Sequence, residues 1–239
     1  MNPVIVMTAN DRPWYAIRVL ESWRRVRGIE TARMIFQCEP HQDMVDLIAG
    51  EARYAAQARI NVNSRQLGCS GNTRQALLSG FETGADFVIA GEDDGIVTAD
   101  LLEYMTWAAE RYRDDKDVMA VCTFQDHPPQ DTAEVRRVEW FFPPVWGTWA
   151  DRFEQVEAGW PRVDSIDWAR YLHADCMGPK GQVVIQPMAT RSQQIGEYGT
   201  YQRGSLQEAW DKQQFTAGVG PQVYREIPGV WTSGGERLR

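Results

Sequence analysis

The chain has 239 residues, 43% of them hydrophobic, with 33 acidic against 25 basic side chains and a formal net charge of -8. That length can bury a full core and sits a little above the usual size of one domain, while the acidic balance argues against a general polyanion-binding surface and leaves room only for a local basic patch. The four cysteines, Cys38, Cys69, Cys122 and Cys176, stand far apart with no C-x-x-C pair, which excludes a zinc knuckle or a small disulfide framework and fits reduced thiols in a cytoplasm.

In chain order, "MN" leads directly into "PVIVMTA" (Pro3 to Ala9), a short β-rich run with no basic region before it, and no later stretch approaches the length of a membrane span. A cytoplasmic protein without a membrane anchor is expected. The polar punctuation "NDRP" follows, then "WYAIRVLESWRRV", where Trp14, Ile17, Leu20 and Val26 recur at helical spacing and predict a helix. The same unit repeats in "ARMIFQC" with "HQDMVDLIAGEARYA", in "ARINVN" with "GNTRQALLSGFETG", and in "ADFVIAGEDD" with "TADLLEYMTWAAERYRD"; Asp117 to Phe124 is a fifth strand candidate. Alternating strands and helices predict an α/β fold with right-handed crossovers, a mostly parallel sheet and helices on both faces. From His127 onward Pro, Trp and Gly crowd together in "DHPPQ", "WFFPPVWGTW" and "AGWPRVDSIDW", and the periods weaken. No flexible linker or fixed repeat divides the chain, so residues 1–239 are expected to form one domain whose irregular, aromatic-rich second half elaborates the sheet.

Ligands of an open parallel sheet bind outside the carboxyl ends of its strands. Glu92, Asp93 and Asp94 fall at that place, directly after "DFVIAG". Three carboxylates repel one another unless a cation neutralises them, and their oxygens suit Mg²⁺ or Mn²⁺, which would bridge to the phosphates of a nucleotide. A solvated turn, with Thr98 capping the next helix and Asp100 favouring its N-terminal end, accounts for the same residues equally well.

The strand and the "EDDGIVTADLLEYM" after it resemble the metal-binding acidic motif and following helix of glycosyltransferases with the GT-A fold. The likeness is to the N-acetylglucosaminyltransferase that initiates complex N-glycans and to its bacterial and phage relatives. "PVIVMTANDRPWYAIRVLESW" resembles that group's opening strand and helix, and "FFPPVWGTWADRFEQVEAGWP", "DSIDW" and "PMATRSQQIGEYGTY" follow the order of its later segments, so the resemblance spans about residues 3 to 203. It implies a nucleotide-sugar-binding half over residues 1–125 and an acceptor and catalytic half over residues 126–239.

Carried over by position, the resemblance makes Asp94 the principal ligand of Mn²⁺ or Mg²⁺ and sets Glu92 and Asp93 at the ribose or a metal-bound water. It makes Asp167, in the Asp-Trp pair of "DSIDW", the general base of an inverting transfer, with Asp164 and Asp151 as the nearest rivals. A histidine that the family places near the metal or diphosphate is absent; Thr200 and Tyr201 stand there, and neither His127 nor His173 is assigned as a ligand. Ala9, Asn10 and Arg12 of "TANDRP" would hold the nucleotide, Glu39 would face the uridine, and Asn72 and Arg74 would start a helix where free N–H groups and a guanidinium suit a diphosphate or uracil carbonyls. Of the aromatic cluster Trp140, Phe141, Phe142, Trp146, Trp149 and Trp160, most are read as a hydrophobic minicore. Trp146 is singled out as a sugar wall, because Gly147 beside it permits close backbone approach. Trp149, Arg191, Tyr201 and Arg203 are the acceptor candidates.

The function implied is transfer from a nucleotide-sugar donor, expected to be a UDP-sugar, to a hydroxyl of a glycan or protein. A hydroxymethylated base in phage DNA ranks behind these because of the net charge of -8, although Arg191, Arg203, Arg225, Arg237 and Arg239 offer a local basic groove. A sugar nucleotidyltransferase would carry a Gly-rich basic loop after the first strand, which "TANDRP" is not. A silent sugar-binding module would need no base.

Overall fold

The structure, a computed structural model, describes residues 4–125, 127, 130–162, 167–197, 222–232 and 236–238. The first half follows the strand-helix alternation of its sequence. Strand β1 (Val4–Ala9) leads to α1 (Pro13–Arg24), β2 (Arg33–Cys38) to α2 (Gln42–Glu51), and β3 (Gln57–Val62) to α3 (Gly68–Phe81). Strand β4 (Phe87–Glu92) is followed by the short β5 (Gly95–Val97), then α4 (Leu101–Arg111) and β6 (Val118–Cys122). The central runs of β1, β2 and β4, residues 4–7, 34–36 and 87–90, are apolar and buried because helices cover both faces of a parallel sheet.

Helix α1 departs from its predicted face. Ala16, Val19, Leu20 and Trp23 are its buried stripe, while Trp14 and Ile17 are 61% and 43% exposed. A spacing of three steps back about 60° round the helix each time, so residues chosen at that spacing spread over the whole circumference instead of one face.

The second half does more than decorate the sheet. Strands β7 (Glu134–Val138), β8 (Val145–Trp149), β9 (Val183–Pro187) and β11 (Arg225–Trp231) supply four of nine strands in the order β11-β7-β9-β6-β8-β4-β1-β2-β3. Strand β8 lies between β4 and β6 and antiparallel to both, followed directly by α5 (Ala150–Glu157). The tenth strand, β10 (Ser192–Gln194), pairs with β5 in a separate two-stranded ribbon. Among the described residues no helix is long and apolar enough to cross a membrane.

"VWGTW" is therefore a central strand, and its unbroken burial explains why no alternating pattern marked it. Gly147 does permit a close approach, but by protein: a Cβ there would meet Phe87 Cζ at 2.5 Å and Met105 Cε at 2.8 Å. Trp149 packs edge-on to Phe87 with centroids 5.0 Å apart and donates its indole N–H to the Ala109 carbonyl at 3.1 Å. The Gly147→Ala variant should lose about 1–3 kcal/mol, because overpacking outweighs the backbone entropy that alanine would otherwise save. Equilibrium denaturation checks this; unchanged stability would mean that Phe87 and Met105 yield freely.

Candidate active site

The apolar run of β4 ends where the chain must turn, and the turn presents Glu92, Asp93 and Asp94 at the carboxyl end of the sheet. Two elements clasp it. From the loop after β1, the Asn10 N–H donates to Asp93 at 2.9 Å, and the Arg12 guanidinium bridges Asp93 at 2.5 Å and Asp94 at 2.8 Å. From the other side, the β5–β10 ribbon brings in the Ile195 N–H, which donates to the Asp94 carbonyl at 2.8 Å, and Gly196, whose missing side chain leaves the space that the Asp94 carboxylate fills. Asn10, Arg12 and the three acidic residues border a cavity of about 670 Å³.

Asp167 lines the same cavity. It caps the turn Trp168–Arg170, accepting the Ala169 N–H at 2.9 Å, and that turn widens into a π-helix over Tyr171–Met177. Trp168 is buried and fixes the cap: its ring stacks between Trp146 at 5.7 Å and Trp160 at 5.5 Å. Trp160 in turn donates its indole N–H to the Ser70 carbonyl of α3 at 3.0 Å. Phe141, Trp146 and Trp160 form the predicted minicore with Phe142 against it, so Trp146 is core instead of a sugar wall; Trp149 packs in the other core cluster and Trp140 is exposed. Among the rivals for the base, Asp151 is tied to Lys116 and Arg152 away from the cavity, and Asp164 lies outside the described residues.

Ala9, Asn10, Arg12, Glu39 and Asn72 all line the cavity, but Glu39 and Asn72 are engaged within the protein. The buried Glu39 carboxylate accepts the backbone N–H groups of Leu67 and Gly68 at the start of α3, and the Asn63 amide at 3.0 Å. Asn72 accepts from Asn63 at 2.9 Å and donates to the Gln37 carbonyl. Gln37 and Asn63 join directly at 2.6 Å, so a polar network anchors the α3 start. Polar residues scattered over strand and helix gave no periodic signal of it. Trp14, Gln66, Cys69 and Gln194 also line the cavity and were not anticipated.

The remaining candidates lie elsewhere. Arg74 pairs with Glu157 of α5. Arg191 is 1% exposed, paired with Asp100 at 3.1 Å, and its guanidinium lies over the rings of Tyr104 and Tyr224. Neither Arg191 nor the buried Trp149 is available to an acceptor, and Asp100 serves this pair while Thr98 bonds Asp100 instead of capping α4. Tyr201 and Arg203 lie outside the described residues.

Burial, then Asp94 and Asp93, push the Glu92 carboxyl well above the ordinary range. Burial likewise raises Asp93 to about 6 from an ordinary 3.8, against the pull of Arg12. Asp94 is buried and one of its oxygens, Oδ1, has no hydrogen-bond partner among the described residues; the same holds for Asn10 Oδ1 nearby. A buried acceptor without a donor is costly unless something occupies it. Oxygen donors of this kind fit Mg²⁺ or Mn²⁺, with Asp94 and Glu92 able to hold the ion. Among the described residues no three His, Cys, Asp or Glu side chains converge to complete a shell, so other positions would fall to water or a ligand's oxygens.

The Asp93 shift has a sign. A native-state pKa of about 6, above the ordinary 3.8, means that the native protein holds this proton more tightly than the unfolded chain does. The cost of ionising Asp93 is absent below about pH 4 and complete above about pH 6. In EDTA, the native protein should therefore gain stability relative to the Asp93→Asn variant as pH falls from about 7 to about 5. Melting temperatures across that window test this, and parallel curves would refute it.

No protein-family model matches the sequence, and no curated protein matches it. Solved structures do match. The mannosyltransferase PcManGT from Pyrobaculum calidifontis, in complex with GDP-Man and Mn²⁺, aligns with a TM-score of 0.55 at 12% identity over 78% of this chain and 55% of that one. S. aureus TarS 1-349 aligns with a TM-score of 0.56 at 10% identity over 82% of this chain and 61% of that one. The chain thus spans just over half the length of these neighbours, and at such identities the likeness is one of fold: the architecture is α/β of the GT-A type, a mostly parallel central sheet flanked by helices.

Proposed function

We propose that this chain is a metal-dependent, inverting glycosyltransferase that moves a sugar from a nucleoside-diphosphate sugar to a hydroxyl of a glycan or protein. The observation that carries the reading is the meeting, in one cavity at the carboxyl end of the sheet, of the Glu92–Asp93–Asp94 turn, the Arg12 guanidinium and the Asp167 carboxylate. The fold neighbour crystallised with GDP-Man and Mn²⁺ supports the donor class and the metal. The sequence resemblance favours a UDP-sugar, so UDP- and GDP-sugars are the donors to compare. Residues 1–125 supply the donor side and residues 126–239 the base within one unit.

Asn10 and Arg12 would hold and neutralise the donor's diphosphate, and Asp94 with Glu92 would hold the ion, which supplies charge stabilisation for the departing diphosphate. Asp167 acts on the acceptor. With one oxygen fixed by the Ala169 N–H, the other takes the hydroxyl proton as the acceptor oxygen bonds to the sugar's C1. The C1–O bond to the diphosphate breaks with its electron pair on the leaving group, which inverts the anomeric centre.

Phage DNA is the weaker acceptor reading. It drew on a basic groove, yet Arg191 is buried against Asp100, and Arg225 is paired with Asp131 and Glu134. A nucleotidyltransferase would still need a Gly-rich loop that the chain lacks after β1.

Incubation with UDP- and GDP-sugars and Mn²⁺ should release nucleoside diphosphate. EDTA should abolish that release and Mn²⁺ restore it, and Asp94→Ala should lose activity without losing the fold. Full turnover in excess chelator would remove the metal from the reaction. The Asp167→Asn variant should lower turnover by about a hundredfold or more while donor affinity stays nearly constant; a normal rate would acquit Asp167, and anomeric retention in the product would exclude single displacement.

A further inference from the structure

The two aspartates that Arg12 bridges are not held alike. Asp93 has a second partner, the Asn10 N–H at 2.9 Å, and would keep a hydrogen bond without the guanidinium. Asp94 binds Arg12 through one oxygen at 2.8 Å while its other oxygen is buried without a partner among the described residues, and its backbone is fixed by Ile195 and its carboxylate fitted against Gly196. Asp94 is therefore a firmly held carboxylate with one oxygen on an internal cation and the other satisfied by none of the described residues. The guanidinium is the more accessible member of the cluster, 19% exposed against 5% and 4% for the aspartate side chains, and it faces the cavity. Pro13 follows at the first turn of α1 and narrows the backbone conformations open to Arg12.

We propose that Arg12 is a built-in competitor of the divalent ion: in the donor-free protein it occupies Asp94 as a resident countercharge, and it gives up that contact, pivoting on Asp93, when ion and donor arrive together. This rests on the metal reading above and adds to it a reason for joint loading of ion and donor. A planar guanidinium spans two carboxylates at once, and the same fork matches the oxygens of a diphosphate. An ion entering alone must displace a positive charge from its own ligand or sit beside it. An ion entering with a diphosphate brings the anion that receives Arg12. Binding of the ion and of the donor is then mutually strengthening, because each removes a cost that the other faces.

Mn²⁺ alone, titrated into donor-free protein with free Mn²⁺ read by electron paramagnetic resonance, tests this without any turnover. The Arg12→Gln variant should bind Mn²⁺ about tenfold more tightly than the native protein, a change of about 1.4 kcal/mol. Arg12→Lys, whose ammonium cannot span both carboxylates, should fall between them, and it carries the test should Arg12→Gln fail to fold. Adding Asp94→Asn to either variant should remove the gain. The strengthening of Mn²⁺ binding by nucleoside diphosphate should also shrink in Arg12→Gln. A merely structural role for Arg12 predicts the opposite sign, weaker Mn²⁺ binding as the site loosens. Native protein that binds Mn²⁺ with affinity unchanged or reduced in the variants would overturn this proposal alone, whereas failure of every form to bind Mn²⁺ would overturn it together with the metal reading.

Discussion

Repulsion among three adjacent carboxylates at the end of one strand is the constraint around which this molecule is arranged. Two unit charges 4 Å apart interact by about 4 kcal/mol at an effective dielectric constant of 20, and Asp93 and Asp94 are both nearly removed from water. A cost of that order must be met by neighbours. The β1 loop meets it with a guanidinium and a backbone N–H, and the β5–β10 ribbon holds the backbone so that the carboxylates cannot swing apart into solvent. Burial opposes the Arg12 charge, but Asp93 and Asp94 outweigh it and hold its pKa above the ordinary value, so the clasp stays charged.

Asp167 and the start of α3, which both border the cavity, are supported from behind. Asp167 projects from a cap whose next residue is locked in a stack of three indoles, and the start of α3 is tied to the Glu39 carboxylate through its own backbone. A buried network of this kind is stabilising only when its members are satisfied, and Gln37, Asn63, Asn72 and Glu39 satisfy one another. Rigidity of this order is what a reaction needs when its groups must be held to within about 0.5 Å.

Much of this was legible in the sequence, and the failures have physical causes. The strand-helix units of the first half, the acidic turn and the Asp-Trp pair were readable because a local pattern or an ordered set of motifs marks each. Strand β8 was not, because a strand buried on both faces carries no alternation, and its tryptophans invited a reading as ligand contacts. Arg191 misled for a related reason: an arginine in a polar segment looks like surface, and only tertiary contact with Asp100, Tyr104 and Tyr224 makes it core. Trp14 misled in the opposite direction, taken for a helical stripe when it borders the cavity.

The position of β8 also governs how the molecule can be assembled. Strand β4, which ends in the acidic turn, finds its partner on one side in β1 and on the other in a segment more than fifty residues further along the chain. Until "VWGTW" inserts, β4 and β6 each present an unpaired edge, and the gap between them can be closed by any extended segment, including one from another molecule. Synthesis from the N-terminus leaves that gap open while the intervening residues emerge. The same strand that gives the acidic turn a rigid central base therefore makes the nascent sheet vulnerable to pairing with a neighbour, and a chain cut before Val145 would be an incomplete sheet with a sticky interior edge.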